Sequence, residues 1–126
     1  MNKDSATLSS VIVSLLAVAA MPAQAADPSA GRQVFTSTCS ICHSNQPNRN
    51  GVGPSLFGVV GRKSADVPGY GFSPAMQGAK LTWDEATLEK YLESPRTVVP
   101  GTKMTYAGLQ DPTKRADLIA YLATLK

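Results

Sequence analysis

Along the 126-residue chain, apolar side chains fall at helical spacing in three short stretches. In the first, Asp27 and Pro28 form a cap and first-turn pair, and Gly31, Val34 and Phe35 then share one face to about Thr38. The second is expected to start at Thr82, where Glu85 three residues on completes a capping box. It carries Leu88, Tyr91 and Leu92 before Pro95 ends the run. The third opens at Asp111 and Pro112 and takes Leu118, Ile119, Leu122 and Leu125 to the C-terminus. No stretch reads as a strand, so the pattern predicts an all-α fold of three main short helices joined by long loops.

The segment between the first two helices, Ser44 to Leu81, is dense in Gly and Pro and shows no sustained period of either kind. Unstructured loops this long are uncommon in compact domains unless they serve a function or are disordered. Val52, Leu56, Phe57, Val59, Val60, Tyr70 and Phe72 make this one too apolar for a disordered linker. Three short helices in a domain of about 100 residues bury little on their own. The loop side chains therefore need a further apolar body to pack on, and a large apolar cofactor would supply it.

The beginning of the chain follows another pattern. Lys3 lies in a short polar stretch, Leu8 to Met21 is largely apolar, and Ala23-Gln24-Ala25 is a small-x-small cleavage pattern. Together they predict a secretory signal over residues 1–25, cleaved to leave one domain over residues 26–126. The apolar run is shorter than the roughly 18–20 residues that span a bilayer. Export places the finished protein in a periplasm. Losing Lys3 and Asp4 together leaves the net charge of +3 unchanged. No basic run is long enough to point to nucleic acid, and the mild surplus fits an acidic partner or plain solubility.

Candidate chemistry concentrates in five residues, CSICH at 39–43, which hold both cysteines and the chain's one histidine. A disulfide spanning three positions closes almost no loop and would add little stability. A thioredoxin-like dithiol belongs after a strand, which is missing here. A structural zinc wants four ligands, and these three fall short unless a carboxylate joins them. Covalent haem uses all three: two thiols at this spacing add to the two vinyl groups of a porphyrin, and the next histidine is delivered beneath the iron. Only that reading also accounts for the apolar loop. With His43 the sole histidine, a second iron ligand is a thioether or is absent. Met104 follows the turn-forming Pro100 and Gly101 and is favoured, while Met76, in SPAMQG, stays open by spacing.

TW at 82–83, YLESPRTVVPGTKM at 91–104, YAG at 106–108 and DLIAYL at 117–122 resemble, in order and spacing, class I cytochromes c, in particular the mitochondrial cytochrome c and bacterial cytochrome c2 group. The resemblance runs through residues 26–126, one residue shorter after CSICH. It implies a cytochrome c fold wrapped around one haem c, with Cys39 and Cys42 as thioether points, His43 as proximal and Met104 as distal ligand. It further implies that the Pro54 carbonyl steadies His43, that Arg62 and Trp83 face the haem propionates, and that Tyr91 and Thr102 lie near the methionine sulfur. Gly31, Phe35, Leu118 and Tyr121 match the crossing of the first and last helices.

The departures are specific. Phe72 replaces a tyrosine that commonly bonds a propionate, with Tyr70 two residues away as a candidate substitute. Met76 replaces a polar residue near the same edge, and Tyr106 a phenylalanine beside the exposed haem edge. Arg96 and Lys103 remain of the usual basic ring, whereas Thr38, Thr97, Gln110 and Asp111 do not continue it, so docking should lean less on charge.

The resemblance implies a soluble, monomeric one-electron carrier, not an enzyme. It would touch membrane complexes transiently, with cytochrome bc1 as donor and a terminal oxidase or photosynthetic reaction centre as acceptor. The rival is a haem protein with a labile distal ligand that acts as a peroxidase or gas binder.

Overall fold

Asp27 ends an extended lead-in and caps α1 (Pro28–Val34), its carboxylate accepting from the Ser29 N–H at 2.8 Å. The computed structural model describes residues 17, 19, 20 and 24–126, so the expected signal segment lies almost wholly outside the described residues. Past Val34 the helix continues as a wider turn over Phe35–Cys39, where the Ser40 N–H reaches the Phe35 carbonyl five residues back at 2.9 Å. This extension carries the chain to Cys39, whose carbonyl then accepts from Cys42 N–H at 3.1 Å and His43 N–H at 2.9 Å. CSICH is thereby wound into one compact turn.

At the other end, α5 (Pro112–Leu122) is capped by Asp111, which accepts from the Thr113 and Lys114 N–H groups. It crosses α1 at Gly31, where any methyl group would overlap the Asp117 backbone carbonyl, so only glycine permits this approach. Phe35 and Tyr121 stack at 5.5 Å between centroids, Leu118 is almost fully buried, and Asp117 Oδ1 accepts from the Asp27 N–H at 2.7 Å. The expected crossing of Gly31, Phe35, Leu118 and Tyr121 is present. Arg115, also buried, donates to Glu89 at 2.7 Å and to the Leu109 carbonyl at 2.7 Å, joining α5 to the middle of the chain.

The middle helices differ from the sequence reading in detail. A short α2 (Pro74–Ala79) lies inside the loop that showed no helical face; Ser73 caps it through the Met76 N–H at 3.1 Å. α3 (Glu85–Glu93) starts from Asp84, not Thr82. The Asp84 carboxylate accepts from Thr87 N–H at 2.7 Å, while Thr82 is held in an antiparallel bridge opposite Lys63. Pro95 ends α3 and also opens the single turn α4 (Pro95–Val98). Among the described residues there is no strand beyond that bridge, and no helix is long and apolar enough to cross a membrane. The core includes Phe35, Trp83, Leu88, Tyr91, Leu92, Leu118, Ile119, Tyr121 and Leu122 together with Val59, Met76 and Val99, and the loop residues Leu56, Val60 and Phe72 pack on it. The fold is all-α, as expected, with more and shorter helices.

Candidate functional site

Helices and loops enclose a cavity of about 510 Å³. Its walls are mainly apolar, from Leu56, Val59, Phe72, Met76, Trp83, Leu88, Leu92, Leu118 and Leu122. Cys39, Cys42, His43, Pro54, Arg62, Trp83, Tyr91, Thr102 and Met104 all line it, so residues spread over 66 positions of sequence meet in one chamber. Tyr106 and Met76 line it as well.

The histidine is fixed by its surroundings. His43 Nδ1 lies 2.7 Å from the Pro54 carbonyl, which can only accept, so Nδ1 carries the proton and Nε2 keeps a free lone pair. Burial, opposed by that hydrogen bond, holds its pKa below the ordinary value and keeps the ring neutral. A residue the sequence reading overlooked makes this possible: a methyl group at Gly53 would overlap the imidazole. Its signal was the glycine directly ahead of the proline that steadies the ring.

Met104 is held by hydroxyls. Tyr91 Oη donates toward Met104 Sδ at 3.5 Å and lies 3.2 Å from Thr102 Oγ1, which also accepts from the Met104 N–H at 3.3 Å. Trp83 packs on Tyr91 at 4.8 Å between centroids and keeps that hydroxyl aimed. Backbone pairing of Trp83 with Arg62 and Gly61, each bond at 2.8 Å, places the indole and the guanidinium together.

Arg62 donates through its terminal nitrogens to the carbonyls of Phe57 at 3.1 Å and Ser55 at 3.2 Å. Its Nε is buried and finds no partner among the described residues. Burial holds the arginine below its ordinary pKa, with Asp66 opposing. A buried cationic donor without a partner calls for an acceptor in the chamber, and an anionic one makes the strongest bond to a guanidinium. Tyr70 does not supply the hydroxyl that Phe72 lacks: its Oη donates to the Val52 carbonyl at 2.7 Å.

The alternatives weaken on the same geometry. Burial, followed by the neighbouring Cys42, pushes the Cys39 thiol up to about 11, the opposite of an activated redox dithiol. Among the described residues no three His, Cys, Asp or Glu side chains converge as a metal cage, so no carboxylate completes a zinc set. A haem fits: two unpaired thiols for attachment, a neutral imidazole nitrogen and a thioether for iron, an apolar chamber for the ring and an unsatisfied cation for its acidic edge.

Comparison with known proteins agrees with this site. The family model for cytochrome c matches residues 28–126. Cytochrome c2 of Rhodomicrobium vannielii is 55% identical over 101 residues, covering 79% of this chain and 80% of that protein. Cytochrome c2 of Rhodopila globiformis is 52% identical over 100 residues, covering 79% and 94%. The structure of cytochrome cH from Methylobacterium extorquens superposes with a TM-score of 0.73 at 47% identity, over 78% of this chain and 98% of that one. The chain belongs to the cytochrome c family: it is a carrier of single electrons, not an enzyme, and binds one covalently attached haem c.

Proposed function

We propose that Cys39 and Cys42 are the two thioether attachment points and that His43 Nε2 and Met104 Sδ are the two protein ligands of the iron. The convergence of these four side chains on one apolar chamber carries the reading. Bound there, the haem supplies a one-electron iron couple. The protein's part is to hold and to exclude. The Pro54 carbonyl keeps the His43 proton on Nδ1, and Tyr91 with Thr102 keeps the Met104 sulfur in place. Arg62, with its unpaired Nε, and Trp83 beside it would hold the propionates. The apolar walls disfavour the extra charge of the oxidised state, and a thioether ligand favours the reduced one, so both raise the potential. With His43 and Met104 both holding the iron, no place would be left for a substrate, which disfavours the peroxidase or gas-binding alternative.

Residues 1–25 are a cleaved secretory signal in this proposal, and residues 26–126 a single monomeric domain working in a periplasm. There it takes electrons from a cytochrome bc1 complex and passes them to a terminal oxidase or photosynthetic reaction centre. Relatives called cytochrome c2 support a shuttle between redox complexes. Replacing Met104 with alanine tests the ligand set. The potential should fall and the far-red charge-transfer band of the oxidised protein should vanish. If neither changes, the assignment is wrong and Met76 becomes the candidate.

A further inference from the structure

The wider turn over Phe35–Cys39 stands directly ahead of Cys42 and His43. Turns of this kind are rare, occur mostly as single insertions in α-helices and gather at functional sites. Thr36, Ser37, Thr38 and Ser40 place four hydroxyls in five positions here. Serine and threonine are weak helix formers, and their hydroxyls bend a helix by bonding carbonyls one turn back. Three of the four do so. Thr36 Oγ1 donates to the Arg32 carbonyl at 2.9 Å, Ser37 Oγ to the Val34 carbonyl at 3.3 Å and Ser40 Oγ to the Thr36 carbonyl at 2.6 Å.

Ser40 sits where the winding changes. Its N–H makes the last bond of the wide pattern, to the Phe35 carbonyl five residues back. A further wide step would bring the Ile41 N–H to the Thr36 carbonyl, but the Ser40 hydroxyl takes that carbonyl instead. The Cys39 carbonyl then accepts from the Cys42 N–H three residues on, which is a tight turn. Residues three apart eclipse one another in a tight turn and diverge in a wide one, so this change brings Cys42 back beside Cys39. Both cysteines line the chamber, whereas Thr36 and Ser40 are exposed and do not line it. The bond that ends the wide turn therefore lies on its outer side, independent of what fills the chamber. Cys42 is also held from beyond, by the Gly53 N–H on its carbonyl at 2.9 Å and by His43 on the Pro54 carbonyl. Cys39 depends on the turn.

Resting on the attachment reading above, we propose that Ser40 is a positioning residue for haem attachment: its hydroxyl ends the wide turn so that the Cys39 thiol stands beside Cys42 and meets its own vinyl group. In each addition the sulfur bonds the vinyl carbon next to the ring, the thiol hydrogen goes to the terminal carbon, and the double bond becomes single. No oxidant or reductant is consumed. Once one thiol has added, the other is tethered near its target, and placement decides how completely it follows. Without the Ser40 bond the wide winding runs on, and Cys39 is the thiol left unreacted.

The test counts thioether links. The full chain and its Ser40→Ala, Ser40→Thr and Thr36→Val variants are produced in cells that export them and attach haem. The haem-loaded chains are then denatured, treated with iodoacetamide and weighed whole and as peptides. Each unreacted thiol gains one carbamidomethyl group whether or not the variant folds. An unreacted vinyl group, conjugated with the ring, also moves the α-band of the reduced haem to longer wavelength. In Ser40→Ala the fraction of chains with Cys39 free should rise about tenfold over wild type, the factor equivalent to one lost hydrogen bond. Ser40→Thr, which keeps the hydroxyl, should restore two links, and Thr36→Val, which loses a hydroxyl of the same turn, should match wild type. Wild-type thiol counts in Ser40→Ala overturn the proposal. So does a deficit shared by Ser40→Thr or by Thr36→Val, since the closing hydroxyl is then not the agent, and so does a free thiol found on Cys42 in place of Cys39. Haem-loaded wild-type protein with both thiols free overturns the attachment reading itself, and the role of Ser40 with it.

Discussion

Replacing Gly53 with alanine should damage the protein far more than replacing Gly51, two residues earlier in the same loop. A methyl group at Gly53 would lie 2.6 Å from His43 Nδ1 and 2.8 Å from Nε2, closer than non-bonded carbon and nitrogen come. The imidazole must move, and its 2.7 Å bond to the Pro54 carbonyl is lost or stretched. Overpacking a tight site costs about 1–3 kcal/mol. Loss of one hydrogen bond adds roughly 1 kcal/mol. At Gly51 the same methyl group meets the Cys42 carbonyl at 3.2 Å, a contact that a small adjustment relieves. Its entropic effect on the unfolded chain is similar, at about 0.4–1 kcal/mol in the stabilising direction. Guanidinium unfolding of both loaded variants separates the two sites. Gly53→Ala should be less stable than Gly51→Ala by about 2–4 kcal/mol, roughly 0.5–1 M in midpoint at the slopes usual for small proteins, with Gly51→Ala near wild type. Equal stability in the two variants, with an unaltered potential for Gly53→Ala, would refute the claim that the missing side chain at Gly53 makes room for the ring.

Other consequences can be measured directly. Arg115→Met should lose about 2–3 kcal/mol in chemical unfolding, because it leaves the Leu109 carbonyl and the Glu89 carboxylate without the buried guanidinium that joins them; a change under 0.5 kcal/mol would contradict this. Burial is the main reason Tyr91 sits above its ordinary pKa, with the Thr102 bond opposing. The unfolded chain therefore ionises first on alkalinisation, and the tyrosine's contribution is complete below about pH 10 and lost as pH rises towards the folded value. Tyr91→Phe should flatten that part of the alkaline stability loss, and an unchanged slope between pH 9 and 11 would count against it. Carbon monoxide should bind the reduced wild-type protein slowly at neutral pH and the Met104→Ala variant rapidly; fast binding to both would reopen the labile-ligand reading.

Legibility in the sequence followed the range of the forces involved. The caps at Asp27 and Asp111 were readable because a capping side chain bonds N–H groups two or three residues away. The cap of α3 was misplaced because Thr82 and Asp84 both satisfy the local rule. What decides between them is the pairing of Thr82 with Lys63, nineteen positions earlier in the chain. α2 escaped notice for its shortness, although Ser73-Pro74 repeats the Asp27-Pro28 signature. CSICH pointed to its chemistry through spacing together with the apolar loop and thin core that the other uses of the motif left unexplained. By contrast, the places of Arg62, Trp83, Tyr91 and Thr102 came from resemblance to a family, since each taken singly reads as an ordinary core or loop residue. Gly53 went unnoticed because a close approach is a property of two segments, and only one of them is visible in a local pattern.

The least ordinary element of the chamber is Arg62, and the departures around it fit together. Two of its donor groups are committed to backbone carbonyls, so the guanidinium cannot swing out to water without leaving the Ser55 and Phe57 carbonyls unpaired. Its buried Nε–H has no acceptor among the described residues. Phe72 brings no hydroxyl, Tyr70 uses its own on Val52, and Met76 presents a thioether where a polar group is customary. In the proposed arrangement a propionate near Arg62 therefore has fewer neutral donors to share it and leans more heavily on this one cation. The same shortage leaves the chamber walls mainly apolar, and in apolar surroundings a single charged hydrogen bond carries more weight than in water. Substituting Met76 with asparagine or Phe72 with tyrosine should relieve that dependence, so that loss of Arg62 lowers haem retention and stability less in those backgrounds than in the wild type. The coupling, measured as a double-mutant cycle, is the quantity that joins the sequence's departures at Phe72 and Met76 to the unsatisfied buried nitrogen of Arg62.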